Sequence, residues 1–163
     1  MADRRPTLAL LAALAWPCAA AAVDDLCVAG EKAVFACDTG AGLASVCATP
    51  DFSATAGSIR VRYGTQRAIE LAWPDGPARR GQITKGTLLY AGKLGSYLRF
   101  RQERGSFVVF SVPGRDSGIV IERDRSIREK RLCRQAEAAG LADLPVPVAE
   151  AIAVSGVGGV GGR

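Results

Sequence analysis

The chain contains no histidine and no asparagine, and beyond residue 22 it holds no apolar run long enough to span a membrane. Without histidine, neither a Ser–His nor a Cys–His nucleophile can be assembled. The cysteines include no CxxC pair, and spacings of ten residues without imidazole suit zinc badly. Phosphate loops are missing too: Lys85-Gly86-Thr87 lacks the preceding Gly-x-x-x-x-Gly-Lys order. Gly156-Val157-Gly158-Gly159-Val160-Gly161 matches GxGxxG, but only Gly162 and Arg163 follow it, where a dinucleotide site needs a helix. Among the carboxylates a glycosidase would need, Glu103, Asp116, Glu122 and Asp124 fall at turns or outward positions. These absences predict a non-enzymatic protein with no cofactor and no metal.

What is present begins with an export signal. Arg4 and Arg5 precede a short apolar stretch, residues 8–16, and Ala20 and Ala22 occupy the −3 and −1 positions of a cleavage before Val23. Residues 1–22 are therefore read as a signal peptide. Cys18 lies within it, and Pro17 before that cysteine does not suit a lipoprotein signal. The whole chain has a formal net charge of +5, and losing Asp3, Arg4 and Arg5 leaves the exported form basic. An Ala-, Gly- and Arg-rich chain with few lysines matches the composition of a GC-rich bacterial genome. The expected location is the periplasm or the medium, with no transmembrane segment once the signal is removed.

Export leaves Cys27, Cys37, Cys47 and Cys133, an even set that in an oxidising compartment reads as two disulfides with three open connectivities. A hairpin centred near Gly42 would set Cys37 opposite Cys47, which favours the pairs Cys37–Cys47 and Cys27–Cys133.

Residues 94–133 carry the clearest strand pattern. Leu98 and Phe100 alternate with Tyr97, Arg99 and Arg101, the period-two signature of a strand with one wet face. A three-residue loop at Glu103-Arg104-Gly105 predicts Phe100 opposite Val108 and Leu98 opposite Phe110. Pro113-Gly114-Arg115-Asp116 and Arg123-Asp124-Arg125-Ser126 supply further turns, giving a four-strand meander closed by Cys133. Upstream, residues 58–63 alternate with Ile59, Val61 and Tyr63 inward, and a return strand over 68–73 would let Arg62 face Glu70. Residues 78–95 leave two readings open: a strand within Ile83–Tyr90, centred on Thr87-Leu88-Leu89-Tyr90, or a mobile loop, for which Gly81, Gly86, Gly92 and Gly95 argue. Beyond Cys133, residues 135–143 suit two helical turns before Pro145 and Pro147, and the Gly/Val-rich end suits disorder. The expected architecture is all-β: a small antiparallel sandwich or barrel of hairpins and a C-terminal meander over residues 23–134, stapled by two disulfides, with residues 135–163 as a tail.

Arginine placement is the informative positive feature. Arg60 and Arg62 project from one strand, and Arg99 and Arg101 from another beside Tyr97. If those strands are neighbours, they form a basic face for an anionic partner, while the plain alternative is a solvated sheet face. Export makes an envelope component or a secreted protein a better partner than nucleic acid. Gly95, Ser96 and Tyr97, in a glycine-flanked segment, are a second candidate, as a loop that inserts into a cleft.

The pattern Leu26-Cys27 … Glu31 … Phe35-Ala36-Cys37-Asp38, then Ser45-Val46-Cys47, then Arg60-Val61-Arg62-Tyr63-Gly64, continuing through Tyr97-Leu98-Arg99-Phe100 and Cys133, resembles small bacterial secreted proteins with no established activity. More distantly, the architecture is similar to periplasmic lysozyme inhibitors, small β-proteins that plug the enzyme cleft with a Ser- and Tyr-bearing loop. Gly95-Ser96-Tyr97 is the nearest match to that loop, and Ser117-Gly118 lacks a tyrosine close behind. The likeness implies inhibition of a secreted hydrolase, although two cationic partners repel at long range.

Overall fold

The computed structural model describes residues 22–76, 78, 81–138 and 140–146. These residues form β1 (Lys32–Asp38), β2 (Leu43–Ala48), β3 (Ile59–Gly64), β4 (Ile69–Trp73), β5 (Ile83–Tyr90), β6 (Lys93–Gln102), β7 (Gly105–Ser111), β8 (Ser117–Arg123), β9 (Ser126–Leu132) and β10 (Gln135–Ala138). The strands build two five-stranded antiparallel sheets, ordered β10-β1-β2-β3-β4 and β5-β6-β7-β8-β9. Neither sheet closes on itself, so the architecture is a sandwich and not a barrel. No helix among the described residues is long and apolar enough to cross a membrane.

Period-two alternation explains the core. Phe35, Val46 and Val61 from the first sheet meet Leu98, Phe100, Phe107, Val109 and Ile119 from the second, each at most 2% exposed. The expected meander is β6–β9, and the Arg123–Ser126 turn is tight, with Asp124 and Arg125 at φ 52° and 62°. Its first hairpin differs in register. Gln102 pairs with Gly105, so the loop is only Glu103-Arg104, and Phe100 faces Phe107 while Leu98 faces Val109. The one-residue difference places Phe107 and Val109, rather than Val108 and Phe110, in the main core.

The strand reading of residues 83–90 holds as β5, and the competing loop reading does not: β5 and β6 form a hairpin turning at Ala91-Gly92 with positive φ at both positions. Two further expectations are corrected. Residues 135–138 are strand β10 rather than helix: Arg134 N–H donates to the Asp38 carbonyl and starts a ladder along β1. The domain also runs past residue 134, because Leu141 and Leu144 pack into the main core. The signal peptide expected over residues 1–22 lies, except for Ala22, outside the described residues, as do residues 147–163 of the expected tail.

The disulfides are Cys27–Cys47 and Cys37–Cys133, not the pairs favoured from the sequence. The hairpin turns over Thr39-Gly40-Ala41-Gly42, so Asp38 faces Leu43 and Cys37 faces Ala44. A register shift between Ala33 and Phe35 then sets Cys47 opposite Ala33. Cys37 points into the core with Ala44 and Val46, whereas Cys47 lies on the other face of β2 and takes Cys27 from the N-terminal segment. Cys37–Cys133 links β1 of one sheet to the residue that follows β9 of the other. It spans 96 residues, the larger closure, worth about 4–5 kcal/mol in the chain-entropy model. Two disulfides are consistent with an oxidising, exported location.

Candidate functional site

The arginines expected to share a face are separated by the sandwich. Ile59, Val61 and Tyr63 of β3 point into the core, which sends Arg60 and Arg62 to the outer face of the first sheet. Leu98 and Phe100 of β6 also point inward, so Tyr97, Arg99 and Arg101 lie on the outer face of the second sheet. The two groups look in opposite directions.

Arg62 is also engaged. The segment before β1 crosses the outer face of the first sheet, anchored by Cys27–Cys47, by Leu26 N–H donating to Ser45 Oγ (2.9 Å), and by an Arg62–Glu31 ion pair. Arg62 Nη2 donates to Glu31 Oε1 at 3.0 Å, and the two side chains are only 7% and 12% exposed. This bond to Arg62 holds the Glu31 carboxyl below its ordinary range against the opposing effect of burial, with help from the Val28 N–H and the field of Arg60. The cross-strand pair expected between Arg62 and Glu70 does not form, because the register shift at Tyr63/Gly64 sets Ala72 opposite Arg62. Glu31 also lies beside the Sγ atoms of Cys27 and Cys47, but those sulfurs are bonded to each other and present no thiolate to a metal.

The second sheet carries the more unusual surface. A sandwich sheet normally shows solvent its polar residues. Here the outer face of β5–β9 holds its own apolar cluster: Tyr97, Val108, Phe110 and Val112 are buried, with Leu88, Tyr90 and Val120 packed against them. Tyr97 is only 3% exposed, and its ring occupies the space that a side chain at Gly86, its cross-strand partner, would fill. Phe110 lies in the same way over Gly118. A shallow hollow over this cluster is bordered by Ile127, Lys130, Arg99 and Glu122. Lys130 Nζ sits 4.8 Å from the Tyr90 ring centre.

Charge on this face is unevenly matched. Arg99 makes a two-pronged pair with Glu122 at 3.0 and 3.1 Å, and Ser106 donates to the same carboxylate. Arg99 Nε and Thr84 Oγ1, on facing residues of β6 and β5, are buried without hydrogen-bond partners among the described residues. Asp124 lies 3.9 Å from Arg104 and 4.0 Å from Arg128. Arg101, Lys93 and Lys130 are exposed and have no carboxylate partner among the described residues. For Lys93 and Arg101 the sequence explains why: no Asp or Glu occurs between Asp75 and Glu103, so hairpin β5–β6 bears only positive charge.

Gly95, Ser96 and Tyr97 do not form a loop. All three lie inside β6, Ser96 paired with Thr87 and Tyr97 with Gly86. The tip of that hairpin is instead Ala91-Gly92, flanked by Leu89 and Leu94, which are 62% and 68% exposed. In sequence, the alternation of Tyr97, Arg99 and Arg101 matches a wet edge and hides this face. The signal lay in the next two strands, where Phe107-Val108-Val109-Phe110 and Ile119-Val120-Ile121 are apolar on both faces.

Comparison with protein-family models, curated proteins and solved structures finds no match to this chain.

Proposed function

We propose that this chain is a non-catalytic, exported binding protein of the bacterial envelope, periplasmic or secreted, whose partner is anionic and partly apolar. The observation that carries the reading is the outer face of β5–β9, apolar where a solvated sheet is polar, with Lys130 bordering its hollow and Arg101 farther along the same face, both without carboxylate partners among the described residues. An apolar hollow with a few convergent charges is the form of a ligand site. Arg101 and Lys130 supply attraction for carboxylate or phosphate, while Arg99 is held in place by Glu122. Arg60 and Arg62 leave the proposal, since Arg62 anchors the N-terminal segment.

Inhibition of a secreted hydrolase such as lysozyme through Gly95, Ser96 and Tyr97 has less support. A plugging residue must reach into a cleft, and Tyr97 is buried under its own sheet neighbours.

The test is retention. The oxidised protein is immobilised, bacterial envelope extract is passed over it at low salt, and elution follows a salt step. Wild type should retain an anionic component, and the double variant Arg101→Gln/Lys130→Gln should lose it. Arg60→Gln should retain as well as wild type. Equal retention by the double variant would remove this face from consideration.

A further inference from the structure

Hairpin β5–β6 has an end that the sandwich does not cover. Leu89 and Leu94 are cross-strand partners on the same side of the sheet as Leu98 and Phe100, yet they are the two most exposed large apolar residues described, at 62% and 68%. The first sheet therefore stops short of them. On the opposite side of the hairpin end lie Tyr90 and its partner Lys93. The tip thus carries an exposed leucine pair on one face, a phenol and an ammonium on the other, and no acidic residue on either strand.

We infer that this tip docks the protein onto an anionic lipid surface, Leu89 and Leu94 entering the boundary between headgroups and acyl chains. The inference rests on the anionic-partner reading and names the partner. Charge complementarity selects lipid as the occupant: a hairpin with only positive charge is drawn to a surface of phosphates, and each cation near such a surface contributes to attraction. Side-chain chemistry agrees. Tyr and Lys are amphipathic and settle at the interface with their polar ends outward, while leucine gains from leaving water. Leu89 and Leu94 on one face would enter the acyl boundary while Lys93 on the other stays at the level of the phosphates.

The experiment uses vesicles made of equal parts phosphatidylglycerol and phosphatidylcholine, with pure phosphatidylcholine as the uncharged control, and the oxidised protein in co-sedimentation. Wild type should bind the anionic vesicles and not the control. Leu89→Ser/Leu94→Ser should bind about tenfold more weakly, and Lys93→Gln about fivefold more weakly, with unchanged melting temperatures because these side chains are exposed. In Leu94→Trp, fluorescence above the Trp73 background should shift to the blue on anionic vesicles and be quenched by brominated acyl chains. Vesicle binding that is indifferent to the leucine pair would overturn the tip. Soluble polyphosphate serves as the separating probe. Binding of polyphosphate without vesicles would overturn the lipid inference and leave the anionic-partner reading standing, and binding of neither would remove both. A protein partner lost on Leu89→Ser/Leu94→Ser, with no vesicle binding, would also overturn the lipid assignment.

Discussion

Gly86 and Tyr97 face each other across β5 and β6, and a Cβ at residue 86 would fall 2.6 Å from the tyrosine hydroxyl oxygen. The glycine is thus what lets the ring lie flat on the outer face, where it anchors the second apolar cluster. Gly86→Ala should displace the ring and lower stability by about 1–3 kcal/mol, read as a lower urea midpoint at unchanged slope. Gly76→Ala meets nothing within 4 Å and is the control. Equal effects from the two would mean that the ring yields freely.

The two disulfides should differ in weight. Cys37→Ala/Cys133→Ala opens a closure of 96 residues and should cost about 4–5 kcal/mol, against about 3 kcal/mol for the 20-residue closure of Cys27→Ala/Cys47→Ala. The first also frees the link between the sheets, so its loss should expose core amides to hydrogen exchange over both sheets, whereas the second should loosen mainly residues 22–31. Denaturant titration together with exchange mass spectrometry tells these apart.

Acid should act through Glu31. Its carboxyl titrates below the ordinary value in the folded protein because Arg62 donates to it. The stabilisation is therefore complete above the unfolded carboxylate pKa, near ~4.3, and is lost as pH falls through the lower folded value. Glu31→Gln should flatten that part of the stability–pH curve. Arg62→Gln leaves a mostly buried carboxylate unpaired and should cost on the order of 3 kcal/mol at neutral pH. The thermal midpoint measured from pH 7 downward checks both.

The legible parts of this fold were those with local chemistry. Alternation in residues 97–102, Pro113-Gly114 and the Arg123–Ser126 turn each point to one conformation without help from distant residues. The illegible parts depend on position in the sandwich. Whether Cys37 meets Cys47 turns on one residue of hairpin register and one shift between Ala33 and Phe35, which composition does not report. Tyr97 and Arg99 both alternate away from the core, yet one is buried and the other is ion-paired, because β7 and β8 bring apolar residues beside the first and Glu122 beside the second. Arg60 and Arg101 look alike in sequence and lie on opposite faces, since their strands belong to different sheets. β10 was hidden for a related reason: Gln135-Ala136-Glu137-Ala138 favours a helix by propensity, and the ladder to β1 overrides it.

The same override sets the end of the domain. Beyond β10, Leu141 and Leu144 are 3% and 9% exposed, and Lys85 donates to the Ala142 and Leu144 carbonyls at 2.6 Å each. Lys85 sits on the inward side of β5, paired with Leu98, so its ammonium closes an open end of the sandwich by holding the following chain across it. If residues 140–146 cap the core, Leu141→Ala should cost about 2–4 kcal/mol and Lys85→Met about 1.5–3 kcal/mol through the two charged hydrogen bonds. A tail without a packing role would leave both variants at the wild-type denaturation midpoint. A chain ending after residue 134 separates the cases further, since it removes β10 and the cap together and should lose more stability than Leu141→Ala alone.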